Sequence, residues 1–306
     1  MKKTLLITGA SGYLGSHLAH RLVADGHVVG IIKRATSSLD RIVDILDKIR
    51  IFDVEQVHEP FEAFCRVDAV IHTATNYGRR GESVTSVFEA NSACPLRLLE
   101  AAISNDVKMF INADTSLDPC LNAYTLSKHQ FKEWGCHLAR NGRYRFVNLR
   151  LEHMYGATDD PTKFATYVVR ACIGNMPELK LTKGEQFRDF IYINDVVDAY
   201  VSILNCPTMI GGDYVDIDVG SGVVVTIREF AELVKTITGA STRLDFGALP
   251  YREHELMFGK ADTSRLYALG WERKHDLRTG LEKMIAAERS LLSLVEKPVS
   301  KSDNRT

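Results

Sequence analysis

An apolar run at Leu5-Leu6-Ile7 leads without a gap into Thr8-Gly9-Ala10-Ser11-Gly12-Tyr13-Leu14-Gly15, and an apolar helical pattern begins directly behind it. A chain carrying that order is steered into strand, tight turn and helix. Gly9 permits the turn out of the strand, Gly12 lets backbone approach a ligand closely, and Gly15 lets the helix pack closely on the sheet. The helix start presents free N–H groups that favour an anion. The spacing is G-x-x-G-x-x-G rather than the commoner G-x-G-x-x-G, and a second apolar run follows at Val28 to Ile32. Strand, turn, helix and second strand together point to a bound dinucleotide, its diphosphate facing the helix N-terminus.

The same rhythm continues. Short apolar runs near 4–8, 28–33, 49–53, 68–73, 107–112 and 144–150 alternate with amphipathic segments. This predicts an α/β fold, a doubly wound parallel sheet of the Rossmann type over residues 1–150, with ligands bound at the C-terminal edge of its strands. After Arg150 glycines and prolines punctuate shorter elements, from Gly156 and Pro161 to Gly211-Gly212. Residues 151–296 are therefore expected to form a smaller substrate-binding lobe. Asp213 to Gly220 reads as a buried strand, so some elements should return to the sheet. The polar residues 297–306 read as a flexible tail.

Composition excludes several functions. Of 306 residues 45% are hydrophobic, and the formal charge is −1, which gives no broad attraction to nucleic acid or to an anionic membrane. Lys2-Lys3 before Leu5-Leu6-Ile7 resembles the start of a signal peptide, but the apolar stretch stops at Thr8-Gly9. No later run is long enough to span a membrane. The six cysteines form no CxxC pair, which suits reduced thiols in the cytoplasm. The ten histidines form no HExxH or similar cluster, so no metal is expected.

The end of the second strand selects the dinucleotide. An acidic residue there accepts from the adenosine ribose, whereas basic residues accommodate a 2′-phosphate. This chain has Lys33-Arg34 followed by Ser37-Ser38 and no carboxylate among them. NADP(H) is therefore favoured over NAD. Asp53-Val54 closes the third strand, where a carboxylate could accept from the adenine amino group.

Tyr124-Thr125-Leu126-Ser127-Lys128 opens a helix expected to run to about Arg140, placing Tyr124 and Lys128 on one face, a turn apart. A phenol with a pKa of about 10 is a weak acid–base catalyst at neutral pH, and a nearby ammonium favours phenolate. The pair gains meaning from its place after the fifth strand of a dinucleotide fold.

With these residues in view, the chain resembles the short-chain dehydrogenase/reductase superfamily in its extended, nucleotide-sugar form, over nearly its whole length. The likeness rests on the glycine turn, Asp53, the strand Ala69 to Ala74, Asn91, Tyr124/Lys128, Leu149 to Gly156, Arg188 to Val196, and Arg252 ahead of Asp262. Within that group Arg150 to Gly156, Gly184 to Phe190 and Glu255 to Phe258 look most like the CDP-abequose and CDP-paratose synthases. The resemblance implies that Tyr124 protonates a sugar carbonyl oxygen as hydride arrives, while Lys128 lowers its pKa and holds the nicotinamide ribose. It implies further cofactor contacts from Ser11, Tyr13, Leu14, Thr73, Ala74, Asn91 and Leu151. A hydroxyl residue completes such a set, and Thr115 falls on that position with Ser116 as the alternative. Only nine positions separate Thr115 from Tyr124, a much shorter connection than extended members usually have. The Thr-Asp-Glu triplet of 4,6-dehydratases is missing with it, which disfavours elimination.

On the substrate side, the resemblance assigns Arg188 and Arg252 to the nucleotide diphosphate, where guanidinium forks suit phosphate. It puts His153 near that diphosphate, and Asn76-Tyr77 could meet the sugar. The implied activity is NADPH-dependent 4-keto reduction of a nucleotide-activated, CDP-linked deoxyhexose, by a homodimer. The rivals are an NAD-dependent nucleotide-sugar 4-epimerase, which recycles its hydride, and a non-catalytic dinucleotide sensor.

Overall fold

The six apolar runs become β1 (Thr4–Thr8), β2 (Val28–Lys33), β3 (Ile49–Asp53), β4 (Ala69–His72), β5 (Met109–Thr115) and β6 (Arg145–Leu151). The computed structural model describes residues 1–140, 142, 144–209, 211–253 and 255–295. Later strands are β7 (His153–Tyr155), β8 (Glu178–Leu181), β9 (Phe187–Tyr192), β10 (Tyr214–Val219), β11 (Val224–Thr226) and β12 (Arg243–Phe246). Seven strands form one parallel sheet in the order β3-β2-β1-β4-β5-β6-β10. The chain runs outward from β1 in both directions, the doubly wound topology expected from the sequence.

Helices cover both faces, so alternate residues of each strand enter different cores. Leu5 and Ile7 pack on one side with Leu18 of the helix Tyr13–Ala24 and Val196 of the helix Ile193–Asn205. Leu6 packs on the other with Leu98 of the helix Cys94–Ser104 and Phe131 of the helix Ala123–Ala139. Full burial of such a side chain stabilises by about 1.5–3 kcal/mol. On this second face Phe110 stacks on Phe146, and Phe146 on Tyr214, with interplanar angles of 10° and 9°. The Ala123–Ala139 helix lies close over that stack because of Gly135, where a Cβ would fall 2.2 Å from the Phe146 ring. Its start is held by a capping box between Asn122 and Thr125.

The glycine turn has a cause at each end. Gly9 has φ +75°, and a Cβ there would lie 2.5 Å from the Ala74 nitrogen. A Cβ on Gly15 would lie 2.2 Å from the Gly9 carbonyl oxygen, so Gly15 lets the helix close on the turn itself rather than on the sheet.

The chain forms two compact units. The first comprises Met1–Met154, Arg188–Val224 and Phe258–Lys274. The lobe expected over 151–296 is thus interrupted. Residues 188–224 join the first unit because β10 pairs with β6 from Tyr214↔Phe146 to Val219↔Leu151. The second unit holds Tyr155–Phe187, Val225–Met257 and the segment from His275. It contains the helices Phe164–Ile173, Ile227–Thr238 and Leu277–Val295 and the parallel pair β8-β12. Inside it, buried Glu288 accepts from the Thr158 amide at 2.7 Å and the Arg170 Nε at 2.8 Å. The chain changes unit within β7, at the start of β9 and between the first two residues of β11. The expected tail, 297–306, lies outside the described residues.

Candidate active site at the C-terminal edge of the sheet

The turn between β1 and the first helix is stitched to the end of β4. Thr73 donates to the Thr8 carbonyl at 2.7 Å, and the Ala74 amide donates to the Thr8 hydroxyl at 3.3 Å. Gly12 is the helix N-cap; it provides no side-chain cap, and no acidic residue stands in the first turn. Those free amides and the helix dipole suit a diphosphate. Ser11, Tyr13 and Leu14 are the turn's other expected contacts; Tyr13 and Leu14 are buried.

At the end of β2, Lys33 is half-buried and Arg34 exposed. Arg41, which the sequence reading did not single out, brings a third cation to this edge, its guanidinium carbon 6.0 Å from the Tyr13 ring centroid. Asp53 ends β3, and its Oδ1 accepts from the Glu55 amide at 3.0 Å, so part of that carboxylate caps a turn. Val54 donates its amide to the Lys33 carbonyl at 2.9 Å.

Tyr124 and Lys128 come from the helix that Gly135 holds against the sheet. Lys128 is 1% exposed, and its Nζ has no hydrogen-bond partner among the described residues. Burial pulls its pKa down from 10.5 to about 8, with Asp114 acting in the opposite direction. An ammonium so placed is costly unless something accepts from it, and the hydroxyls of a nicotinamide ribose meet that need. The expected lowering of the Tyr124 pKa does not occur: withdrawal from water pushes it up, as does Tyr77, while a hydrogen bond from Thr115 and the charge of Arg79 pull it down. At neutral pH Tyr124 is a protonated phenol, able to donate.

Thr115 ends β5 and so reaches the tyrosine despite the short connection. Ser116, the alternative, lies just past the strand. Leu151 ends β6 at the same sheet edge, half-buried.

Asn91, an expected cofactor contact, has a structural task here. It sits in the wide π-helical turn Glu89–Ala93, fully buried. Its Oδ1 accepts from the Asn76 amide at 2.7 Å, and its Nδ2 donates to the Asn76 carbonyl at 2.8 Å and the Ser127 hydroxyl at 3.0 Å. Both donors are used, so Asn91 pins the Asn76-Tyr77 loop to the Tyr124 helix. Tyr77 lies against Tyr124, with Arg79 above its other side at 4.9 Å.

His153 on β7 packs edge-on to Phe190 at 5.7 Å, its Nδ1 3.7 Å from the Glu152 carboxylate. Arg188 is 5% exposed in the first unit; Arg252 is exposed in the second. Among the described residues no group of three or more His, Cys, Asp or Glu is placed to hold a metal, and no helix is long and apolar enough to cross a membrane. Sequence reasoning missed His72, Asn112 and Asn148, polar residues inside strands that read simply as buried.

Known proteins match this arrangement. A CDP-abequose synthase of Salmonella muenchen is 32% identical over 293 residues, spanning 94% of this chain and 98% of the relative. A putative UDP-glucose 4-epimerase of Methanocaldococcus jannaschii is 23% identical over 305 residues, spanning 92% and 97%. Among solved structures, the UDP-glucose 4-epimerase of Thermotoga maritima with UDP-glucose has a TM-score of 0.82 at 22% identity, covering 94% of this chain and 99% of its own. The profile of the NAD dependent epimerase/dehydratase family matches residues 5–217, more than half of the chain. The chain belongs to this family, the extended short-chain dehydrogenases/reductases.

Proposed function

We propose that this protein reduces the 4-keto group of a CDP-linked deoxy- or dideoxyhexose with NADPH, as a CDP-abequose/paratose synthase-like enzyme of O-antigen and lipopolysaccharide sugar synthesis. The observation that carries this reading is the end of β2. Lys33 and exposed Arg34 stand where a ribose-binding carboxylate would select NAD, and residues 33–38 contain no acid. A net reductase draws on the reduced NADP pool, whereas an epimerase returns its hydride. Similarity to CDP-abequose synthase over 94% of the chain supports the substrate class.

A bound reduced nicotinamide supplies the hydride. The residues manage the proton and the oxygen. Tyr124 donates its proton to the carbonyl oxygen, and Thr115 hydrogen-bonds the same oxygen. The phenolate left behind is stabilised by the Lys128 ammonium, which also holds the ribose hydroxyls. Arg188 binds the diphosphate, with His153 beside it, and Asn76 and Tyr77 face the sugar.

The test is incubation with CDP-, dTDP-, GDP- and UDP-linked 4-keto sugars, following NADPH oxidation and product stereochemistry by NMR. NADPH-dependent turnover with the CDP-linked ketone is expected. Tightly retained NAD and interconversion without added reductant would instead establish the 4-epimerase reading, which the Methanocaldococcus relative favours.

A further inference from the structure

A row of polar side chains crosses the apolar sheet. Thr8, His72, Asn112, Asn148 and Asp216 are register partners on the neighbouring strands β1, β4, β5, β6 and β10, and so project from one face. Most of their polar atoms are paired. Asn112 Nδ2 donates to Asn148 Oδ1 at 2.7 Å, and Asn148 Nδ2 donates to Asp114 and to Asp216, each at 2.8 Å. Thr8 Oγ1 lies 2.8 Å from His72 Nδ1. Because the Thr8 hydroxyl has no other acceptor among the described residues, its proton is assigned to His72 Nδ1, leaving the histidine proton on Nε2.

In the row His72 Nε2 and Asn112 Oδ1 remain without a hydrogen-bond partner among the described residues, and so does Lys128 Nζ on the helix packed over it. Their residues are 2%, 0% and 1% exposed. They belong to one neighbourhood. His72 and Asn112 are register partners on adjacent strands. Lys128 stands one turn before Phe131, whose ring packs on His72 at 5.5 Å and on Phe110 at 5.9 Å, two residues from Asn112. The Lys128 charge bears on His72, whose pKa burial lowers further. Two donors and one acceptor left over in one buried polar neighbourhood match the needs of a single water molecule, which accepts twice and donates.

We propose that His72 Nε2, Asn112 Oδ1 and Lys128 Nζ share one internal water, and that His72 and Asn112 are thereby positioning residues for Lys128. The water accepts from His72 and Lys128 and donates to Asn112, tying the ammonium to the asparagine–aspartate row. Facing Lys128 besides these are Asp114 from β5 and Tyr124 from its own helix. Behind them stand Asn148 of β6 and Asp216 of β10, while the Glu89–Ala93 turn presents neutral Asn91 and Ser92.

The proposal gives meaning to Lys128 within the reductive reading above, but its test does not need that activity. A high-resolution crystal structure of the wild-type protein should show an ordered water within hydrogen-bond distance of all three atoms. Direct contact of Lys128 Nζ with His72 or Asn112, without that water, overturns it. Lys128 is then titrated by isotope-detected lysine NMR, with Lys128→Met identifying its signal. His72→Phe should lower the Lys128 pKa by about one unit, roughly a tenfold loss of proton affinity, because without the His72 donor the water that accepts from the ammonium is no longer held. His72→Gln, which keeps a donor, should restore most of it, and thermal melts confirm that both variants fold. An unchanged Lys128 titration in folded His72→Phe also overturns the proposal.

Discussion

The ring of Tyr77 lies 4.9 Å, centroid to centroid, from that of Tyr124, tilted by 46°. Tyr77 is not held by that contact alone, since Asn91 fixes its neighbour Asn76 by accepting from its amide and donating to its carbonyl. The loop is thus set against Tyr124, the proposed proton donor. Tyr77→Ala should raise the KM for the sugar nucleotide roughly tenfold through loss of an aromatic wall, with NADPH affinity unchanged. Asn91→Leu should raise KM in the same sense by freeing the loop. Steady-state kinetics beside NADPH fluorescence titration separate the two constants, and weakened NADPH binding in Asn91→Leu would return that residue to the cofactor.

Tyr124→Phe removes the proton donor while keeping the ring contact with Tyr77. The kcat should fall by about 10²–10⁴-fold, the usual worth of positioned acid catalysis, with NADPH binding retained. Thr115→Val should also lower kcat, because it deletes the hydroxyl that bonds the Tyr124 oxygen. Ser116→Ala should leave turnover near wild type. The reverse order of these two would move the catalytic hydroxyl to Ser116.

Lys128 carries a pH signature independent of turnover. Its pKa falls from 10.5 to about 8 on folding, so between those values the unfolded chain binds a proton that the folded chain has released. Stability therefore rises with pH across that window, and below it the folded state holds a buried charge at full cost. Lys128→Met should stabilise the protein at pH 7 by an amount on the order of 3 kcal/mol as an upper bound. The advantage should fade towards pH 10.5. Urea unfolding at several pH values measures it, and a difference constant from pH 7 to 10 would remove the buried ammonium from the account.

The parts of the site made by backbone were legible in the sequence. Gly9 and Gly15 announce their turn because a Cβ at either would run into backbone, and six apolar runs announce six strands. Tyr124 and Lys128 were placed by helical spacing alone. What the sequence hid has two physical causes. Strands buried on both faces read as unbroken apolar runs, so nothing marks His72, Asn112 and Asn148 as partners across the sheet until register is known. The chain also changes unit in or at the edge of short strands such as β7 and β9, where local pattern is the same on either side of the crossing. Asn91 was found, but its bonds to Asn76 and Ser127 were not, because spacing cannot show which neighbouring groups an amide already bonds.

The end of β2 separates the reductase from its rival most directly. Arg34 is exposed where a 2′-phosphate would lie, and the nearest side chains along the strand exit offer cations and hydroxyls but no carboxylate. A charge-assisted hydrogen bond to phosphate contributes about 1.5–3 kcal/mol. Arg34→Asp replaces that contact with repulsion and supplies the missing acceptor for a ribose hydroxyl. The preference for NADPH over NADH should therefore fall by about 10–100-fold or more, through both weaker NADPH and stronger NADH binding. Dissociation constants for both cofactors, measured by fluorescence quenching at fixed ionic strength, give the ratio directly. Lys33→Ala should shift it less, since its Nζ already leans back to the Ala35 carbonyl at 3.3 Å. A ratio unchanged in Arg34→Asp would take the 2′-phosphate away from this edge and leave NAD as the cofactor.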